Sequence, residues 1–162
     1  MKPTDDLRVK GYQHLLEPNR LKEELSMSQT AHATVLSGRE AIEKIMRRAD
    51  KRLLVVAGPC SIHDEKAACE YAGRLKELSE KVGDAFSIVM RVYFEKPRTS
   101  VGWKGLINDP QLDGSCDIME GLRKARRILL KINEIGVPAA TEFLETITPQ
   151  YVSDLVSWAC VG

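Results

Sequence analysis

VMRVYFEKPR, residues 89–98, followed by TSVGWKGLINDP, residues 99–110, is the stretch on which the reading of this chain turns. Val89, Val92, Tyr93 and Phe94 favour a strand, expected over residues 86–94, and Pro97 has no N–H to offer a ladder and stops it. Alternation puts Arg91, Tyr93 and Glu95 on one face and Val92 and Phe94 on the other. A cation inside a strand must be paired or must meet an anion. Glu95 or Glu142 is the structural candidate for Arg91; a phosphate or carboxylate ligand is the functional one. Lys96 adds a compact charge, Arg98 a bidentate fork, and Thr99 a hydroxyl, a set that suits a sugar phosphate. Lys104 follows in a loop longer than connections usually are, and Trp103, Leu106 and Ile107 give that loop something to pack, on a substrate or another subunit.

Outward from this strand the chain alternates. Leu53–Ala57 is a short apolar run suited to a strand buried on both faces, ended by Gly58-Pro59. Asp64 caps a helix expected to reach Lys81, with Ala67, Ala68, Tyr71, Leu75 and Leu78 inward. A second helix is expected over 117–135, stopped by Gly136, and a third strand over 137–144. Pro149 suits the first turn of a helix running to Trp158, with Tyr71 and Trp158 in the core. Residues 159–162 begin a fourth strand. Before all this, Ser37 and Glu40 have capping-box spacing, with Ala41, Ile42, Ile45 and Met46 as the apolar stripe. Residues 1–35 are polar and read as an extension outside the core; 36–162 form the barrel-like part.

Repeated βα units build either a doubly wound sheet or a (β/α)₈ barrel, and both place chemistry at the C-terminal strand ends. Those ends are 58–63, 95–110 and 142–148. A full barrel takes about 250 residues, so the expectation is an α/β fold comprising the first three to four βα units of a TIM barrel.

Composition narrows the function without naming it. Of 162 residues, 43% are hydrophobic and 29% charged, with a net charge of +1, so no global field draws nucleic acid or membrane, and any anion site is local. No run of about 18 apolar residues is present, and the N-terminus lacks the apolar core of a signal peptide. Cys60, Cys69, Cys116 and Cys160 are widely spaced and read as free thiols of a cytoplasmic protein. Cys60, just past the first strand, reads as a buried thiol, a nucleophile or a soft metal ligand. His63 reads as a second ligand, a base or part of the helix cap.

Gly58–Asp64 (GPCSIHD), Met90–Thr99 (MRVYFEKPRT), Val101–Pro110 (VGWKGLINDP) and Thr148–Tyr151 (TPQY), with DDLR from Asp5, carry a resemblance. The chain resembles the N-terminal part of a class I, aromatic-amino-acid-regulated microbial 3-deoxy-D-arabino-heptulosonate-7-phosphate (DAHP) synthase. The resemblance implies a (β/α)₈ barrel with an N-terminal extension that condenses phosphoenolpyruvate with erythrose 4-phosphate, opening the shikimate pathway to aromatic amino acids. It also implies a divalent metal of the Mn, Fe, Co or Zn type, and a homo-oligomer. By motif, Cys60 resembles the metal-binding cysteine, and Arg91 and Lys96 the phosphoenolpyruvate-binding cations, Lys96 also a proton donor. Lys96, Pro97, Arg98 and Thr99 resemble the erythrose-phosphate segment. Asp5 and Asp6 resemble tail residues that reach a neighbouring subunit, and Phe143, Ile147, Pro149 and Gln150 an aromatic-amino-acid pocket for feedback inhibition. EFLETITPQ is more like phenylalanine-sensitive than tyrosine-sensitive members. Ser100 departs from the family's threonine. The family's remaining metal ligands lie in its second half, so the chain is expected to be an incomplete, inactive fragment. The alternatives are a related synthase such as a 3-deoxy-octulosonate-phosphate synthase, or a non-catalytic interaction subunit.

Overall fold

The computed structural model describes residues 4–9, 11–98 and 101–162. Two helices, α1 (Pro18–Glu24) and α2 (Gln29–Met46), precede β1 (Leu53–Ala57), α3 (Glu65–Val82), β2 (Phe86–Arg91) and α4 (Ile118–Glu134). Then come β3 (Ala139–Phe143), a short α5 (Pro149–Val152), a 3₁₀ turn (Ser153–Leu155) and β4 (Trp158–Val161).

All pairings are parallel and the strands lie in chain order, β1-β2-β3-β4. A doubly wound sheet reverses its order at a switch point; a barrel does not. The order here is that of the first four strands of a (β/α)₈ barrel.

Register shows which side chains share a face. Val56 pairs with Val89, Arg91 with Ala140, and Glu142 with Cys160. One face of β2 therefore carries Met90, Val92 and Phe94, all buried in the main core with Ala68, Ala72 and Leu75 of α3 and Leu122, Ala125 and Leu129 of α4. The other face, the inner one, carries Val89, Arg91, Tyr93 and Glu95. Val89 and Ala140 pack with Ile42 of α2, with Leu54 beside them. Helix α2 thus covers the N-terminal half of the inner face, and the C-terminal half, with its polar side chains, is left open.

Several boundaries differ from the sequence reading. α2 starts at Gln29, where the Ser28 hydroxyl accepts from Ala31 N at 3.2 Å. Ser37 lies inside the helix and donates to Thr34 O at 3.1 Å. The helix reaches back because Ala31, Thr34, Val35, Gly38 and Ile42 continue one buried stripe, and residues 35 and 36 both fall within it. Leu21 and Ala31 belong to the main core, and the Tyr151 hydroxyl donates to Leu16 O, so the chain packs from Leu16 onward. Earlier described residues are exposed.

β2 pairs only to Arg91, which faces Ala140 of β3 one residue beyond the last partner of β1. Tyr71 and Trp158, expected in the core, are 38% and 39% exposed, and Leu78 is exposed too. Tyr71 and Leu78 flank the α3 stripe that packs, and Trp158 opens β4, the last strand of the sheet, which pairs on one side only. Leu106 and Ile107 are buried in this chain's own core rather than offered to a partner. Gly105 lets their loop turn back: its φ is +107°, a Cβ there would stand 2.1 Å from Phe94 O, and it bridges Glu95 antiparallel.

Candidate active site at the strand ends

Four segments meet at the open ends of the strands. Gly58–Asp64 brings Cys60; the end of β2 brings Arg91, Tyr93 and Glu95; the following loop brings Lys96 and Arg98; and the stretch around Lys104 folds back over it. The backbone N–H of Lys96 donates to Lys104 O at 3.0 Å, which pins the two cation-bearing segments together.

The Lys96 ammonium donates to Cys60 O at 2.7 Å and to Cys60 Sγ at 3.0 Å. That contact, its charge, and the more distant charge of Arg91 draw the Cys60 thiol below its ordinary pKa. An exposed thiol held toward the thiolate is a nucleophile or a soft metal donor. Arg91 lies with its Cζ 4.0 Å from the centroid of the Tyr93 ring and donates to Pro59 O at 3.2 Å. The expected ion pairs with Glu95 or Glu142 do not form, so its charge is not neutralised by a carboxylate among the described residues. Lys96, Pro97, Arg98 and Lys104, with Glu95, line an open cleft of about 420 Å³. Thr99 and Ser100 lie outside the described residues. His63 is exposed beside a small apolar hollow with Tyr71, away from Cys60's contact with Lys96, and Asp64 is the helix cap, accepting from Ala67 N at 2.6 Å.

Glu95 faces two ways. It also lines a separate cavity of about 210 Å³ with Leu15, Ile107, Glu145, Ile147 and Tyr151. Burial first, and then the Glu145 charge, push its carboxyl above the usual range, against the opposing amide of Asn108. Glu145 itself is lowered: burial opposes this, but the Thr148 hydroxyl and the backbone N–H groups of Ile147 and Thr148 outweigh it.

Of the residues expected at an effector pocket, only Ile147 lines this cavity. Phe143 is buried in the main core, Pro149 opens α5, and Gln150 borders another groove with Glu17 and Lys22. Asp5 and Asp6 are exposed, and the Asp6 carboxylate accepts from the Tyr12 hydroxyl. Leu15, Glu95 and Glu145 were not legible as cavity residues, because three remote segments make one wall and no local pattern marks them.

A parallel sheet in barrel order, with cations and an exposed thiol gathered at its C-terminal edge, is the architecture of an α/β barrel protein. Residues 24–162 match the DAHP synthetase I family, and the chain belongs to it. It is 58% identical over 158 residues to the phospho-2-dehydro-3-deoxyheptonate aldolase, Phe-sensitive, of Escherichia coli (strain K12), covering 98% of this chain and 45% of that protein. It is 51% identical over 162 residues to the Trp-sensitive protein of the same name from Salmonella typhi, covering 100% of this chain and 47% of that protein. The solved structure of phospho-2-dehydro-3-deoxyheptonate aldolase from Francisella tularensis SCHU S4 superposes with a TM-score of 0.92 at 47% identity, over 95% of this chain and 45% of that one. The chain thus spans about half the length of these relatives. The family is metal-dependent in general. No helix among the described residues is long and apolar enough to cross a membrane.

Proposed function

We propose that this chain carries the substrate-binding half of a DAHP synthase active site, for condensation of phosphoenolpyruvate with erythrose 4-phosphate. The observation that carries the reading is the Lys96 ammonium, shared between Cys60 and a cleft that also holds Arg98 and Lys104. Arg91 and Lys96 hold phosphoenolpyruvate by its phosphate and carboxylate. Arg98, with Pro97 and Thr99, takes the phosphate of the sugar. Cations on both substrates set the enol carbon against the aldehyde, which converts an encounter into an oriented reaction. As the enol C3 bonds to the aldehyde carbon, the aldehyde oxygen gains negative charge, and Lys96 is the donor placed to give it a proton. Water adds at C2 and the phosphate leaves.

A divalent metal in this family supplies Lewis-acid polarisation of the aldehyde. Cys60, exposed and biased toward thiolate, is the one donor proposed for it here. No group of three His, Cys, Asp or Glu able to hold a metal occurs among the described residues. The described residues alone do not build a metal site.

The names of the relatives, Phe-sensitive and Trp-sensitive, support regulation by an aromatic amino acid, phenylalanine being favoured by the EFLETITPQ stretch. Asp5, Asp6, Phe143, Ile147, Pro149 and Gln150 are the proposed effector residues, with residues 1–35 as the regulatory and oligomer-contact segment of a homo-oligomer.

The test is a chimera. Residues 1–162 replace the matching half of the Escherichia coli relative, and condensation is followed by phosphate release with erythrose 4-phosphate and with arabinose 5-phosphate. Turnover with the four-carbon aldehyde, abolished by Arg91→Ala and by Lys96→Met, is the expected result. Undiminished turnover in those variants, or preference for the five-carbon aldehyde, overturns the reading.

A further inference from the structure

We propose that Tyr93 is the positioning residue of the anion site: its ring carries the Arg91 guanidinium, and its backbone holds the loop that presents Cys60. The claim builds on the reading of Arg91 as the anion-binding cation.

Arg91 and Tyr93 are two residues apart on β2 and its extension, so both project from the inner face. The guanidinium carbon lies 4.0 Å from the ring centroid. It donates a hydrogen bond to Pro59 O at 3.2 Å. How a cation is held determines what it can still do. A carboxylate partner would occupy the N–H fork and neutralise the charge. A ring engages the cation by its quadrupole, leaves the full charge in place, and leaves the N–H donors not taken by Pro59 for a ligand. Arg91 is thereby ordered before the anion arrives, and less side-chain freedom is lost on binding.

Tyr93 is itself tied on both sides. Its carbonyl accepts from Ile62 N at 2.8 Å, fixing the β1–α3 loop two residues past Cys60. Its hydroxyl lies 3.6 Å from the sulfur of Cys160 on β4. The residue before it is anchored to β3: Val92 N donates to Ala140 O at 2.7 Å, and Val92 O accepts from the Thr141 hydroxyl at 2.7 Å. The ring that bears Arg91 is thus referenced to β3, to β4 and to the Cys60 loop.

The experiment uses the 162-residue chain and reads the Arg91 Nε–H signal by ¹H–¹⁵N NMR, with backbone amide spectra to check each fold. In the parent the signal is displaced upfield by the ring current and its order parameter is high. Tyr93→Phe keeps both. Tyr93→Leu loses both, and Tyr93→Met, nearer in volume, does the same where the leucine disturbs the fold. Titration with phosphoenolpyruvate then weakens about two- to five-fold in the non-aromatic variants, the size of an exposed cation–π contact, and stays near the parent value in Tyr93→Phe. A parent Arg91 signal with no ring-current displacement overturns the proposal, as does one unchanged in the non-aromatic variants. Failure of the parent to bind phosphoenolpyruvate overturns the anion-site reading, and the Arg91 signal then decides the positioning claim by itself.

Discussion

Two glycine-to-alanine changes, each in the interior of a long helix, are expected to shift stability in opposite directions. Helix propensity alone favours alanine by about 1 kcal/mol at either site. Gly73 in α3 has nothing within 4 Å of where a Cβ would stand, so Gly73→Ala is expected to stabilise by about 0.5–1 kcal/mol. Gly121 in α4 is the opposite case. A Cβ there would lie 2.0 Å from Ile107 O, 2.6 Å from its carbonyl carbon and 2.7 Å from its Cα. All three are backbone atoms, so no side chain can swing aside, and either α4 or the loop must shift. Overpacking costs about 1–3 kcal/mol, and a backbone contact this close belongs at the upper end. Less the propensity gain, Gly121→Ala is expected to destabilise by about 2 kcal/mol. For a chain of this size that is a fall of about 4–8 °C in Tm, against a rise of about 1–4 °C for Gly73→Ala. Urea unfolding followed by circular dichroism and tryptophan fluorescence measures both, with the slope m checked for constancy. Gly121 also supports function at a distance. Ile107 anchors the loop that carries Lys104 and Asn108, so Gly121→Ala is expected to weaken phosphoenolpyruvate binding with every cation still present. A Gly121→Ala chain as stable as the parent would refute the reasoning that α4 and the cation loop are in backbone contact.

Three further outcomes are expected. Cys60 alkylation by iodoacetamide, resolved by peptide mass spectrometry, should persist to lower pH than that of Cys69, whose thiol is raised first by burial; Lys96→Met should move the Cys60 profile to higher pH, and an unmoved profile would contradict the ammonium–thiol contact. Arg126 is 1% exposed and forks onto Asp154 at 2.8 and 2.9 Å, so Asp154→Ala, which leaves a buried guanidinium without its counter-charge, should cost about 3 kcal/mol in urea unfolding. Glu95 should titrate above the ordinary carboxylate range by ¹³C NMR, and Glu145→Gln should lower it part of the way, since burial remains. Its contribution to stability is full below the unfolded carboxylate pKa and is lost as pH rises through the raised folded value.

The strand-end cations were legible because their chemistry is local. Val89–Phe94 alternates, Pro97 breaks the strand, and Arg91, Lys96 and Arg98 must then sit at one end of it whatever the packing. The Asp64 cap and the α4 face of Leu122, Ala125 and Leu129 were legible for the same reason. The start of α2 was not, since Ser28 and Ser37 both offer a capping hydroxyl and only the burial of Ala31, Thr34 and Val35 chooses between them. Nor was the partner of Arg91. Sequence pointed to Glu95 or Glu142 by charge, and packing turned Glu95 toward the Glu145 cavity and set the Tyr93 ring beneath the guanidinium instead.

By itself the sequence determined the βα alternation, the parallel sheet it implies, the edge at which chemistry gathers, and the motifs that mark the family. Each is written in residues close together in the chain, through period, breakers and caps. Only the tertiary structure decided that α2 covers the N-terminal half of the inner face, that Lys96 rests on Cys60, and that a ring rather than a carboxylate holds Arg91. Those contacts join residues on different strands and loops. Their geometry follows from strand register and from which face each side chain takes, and no local pattern carries either.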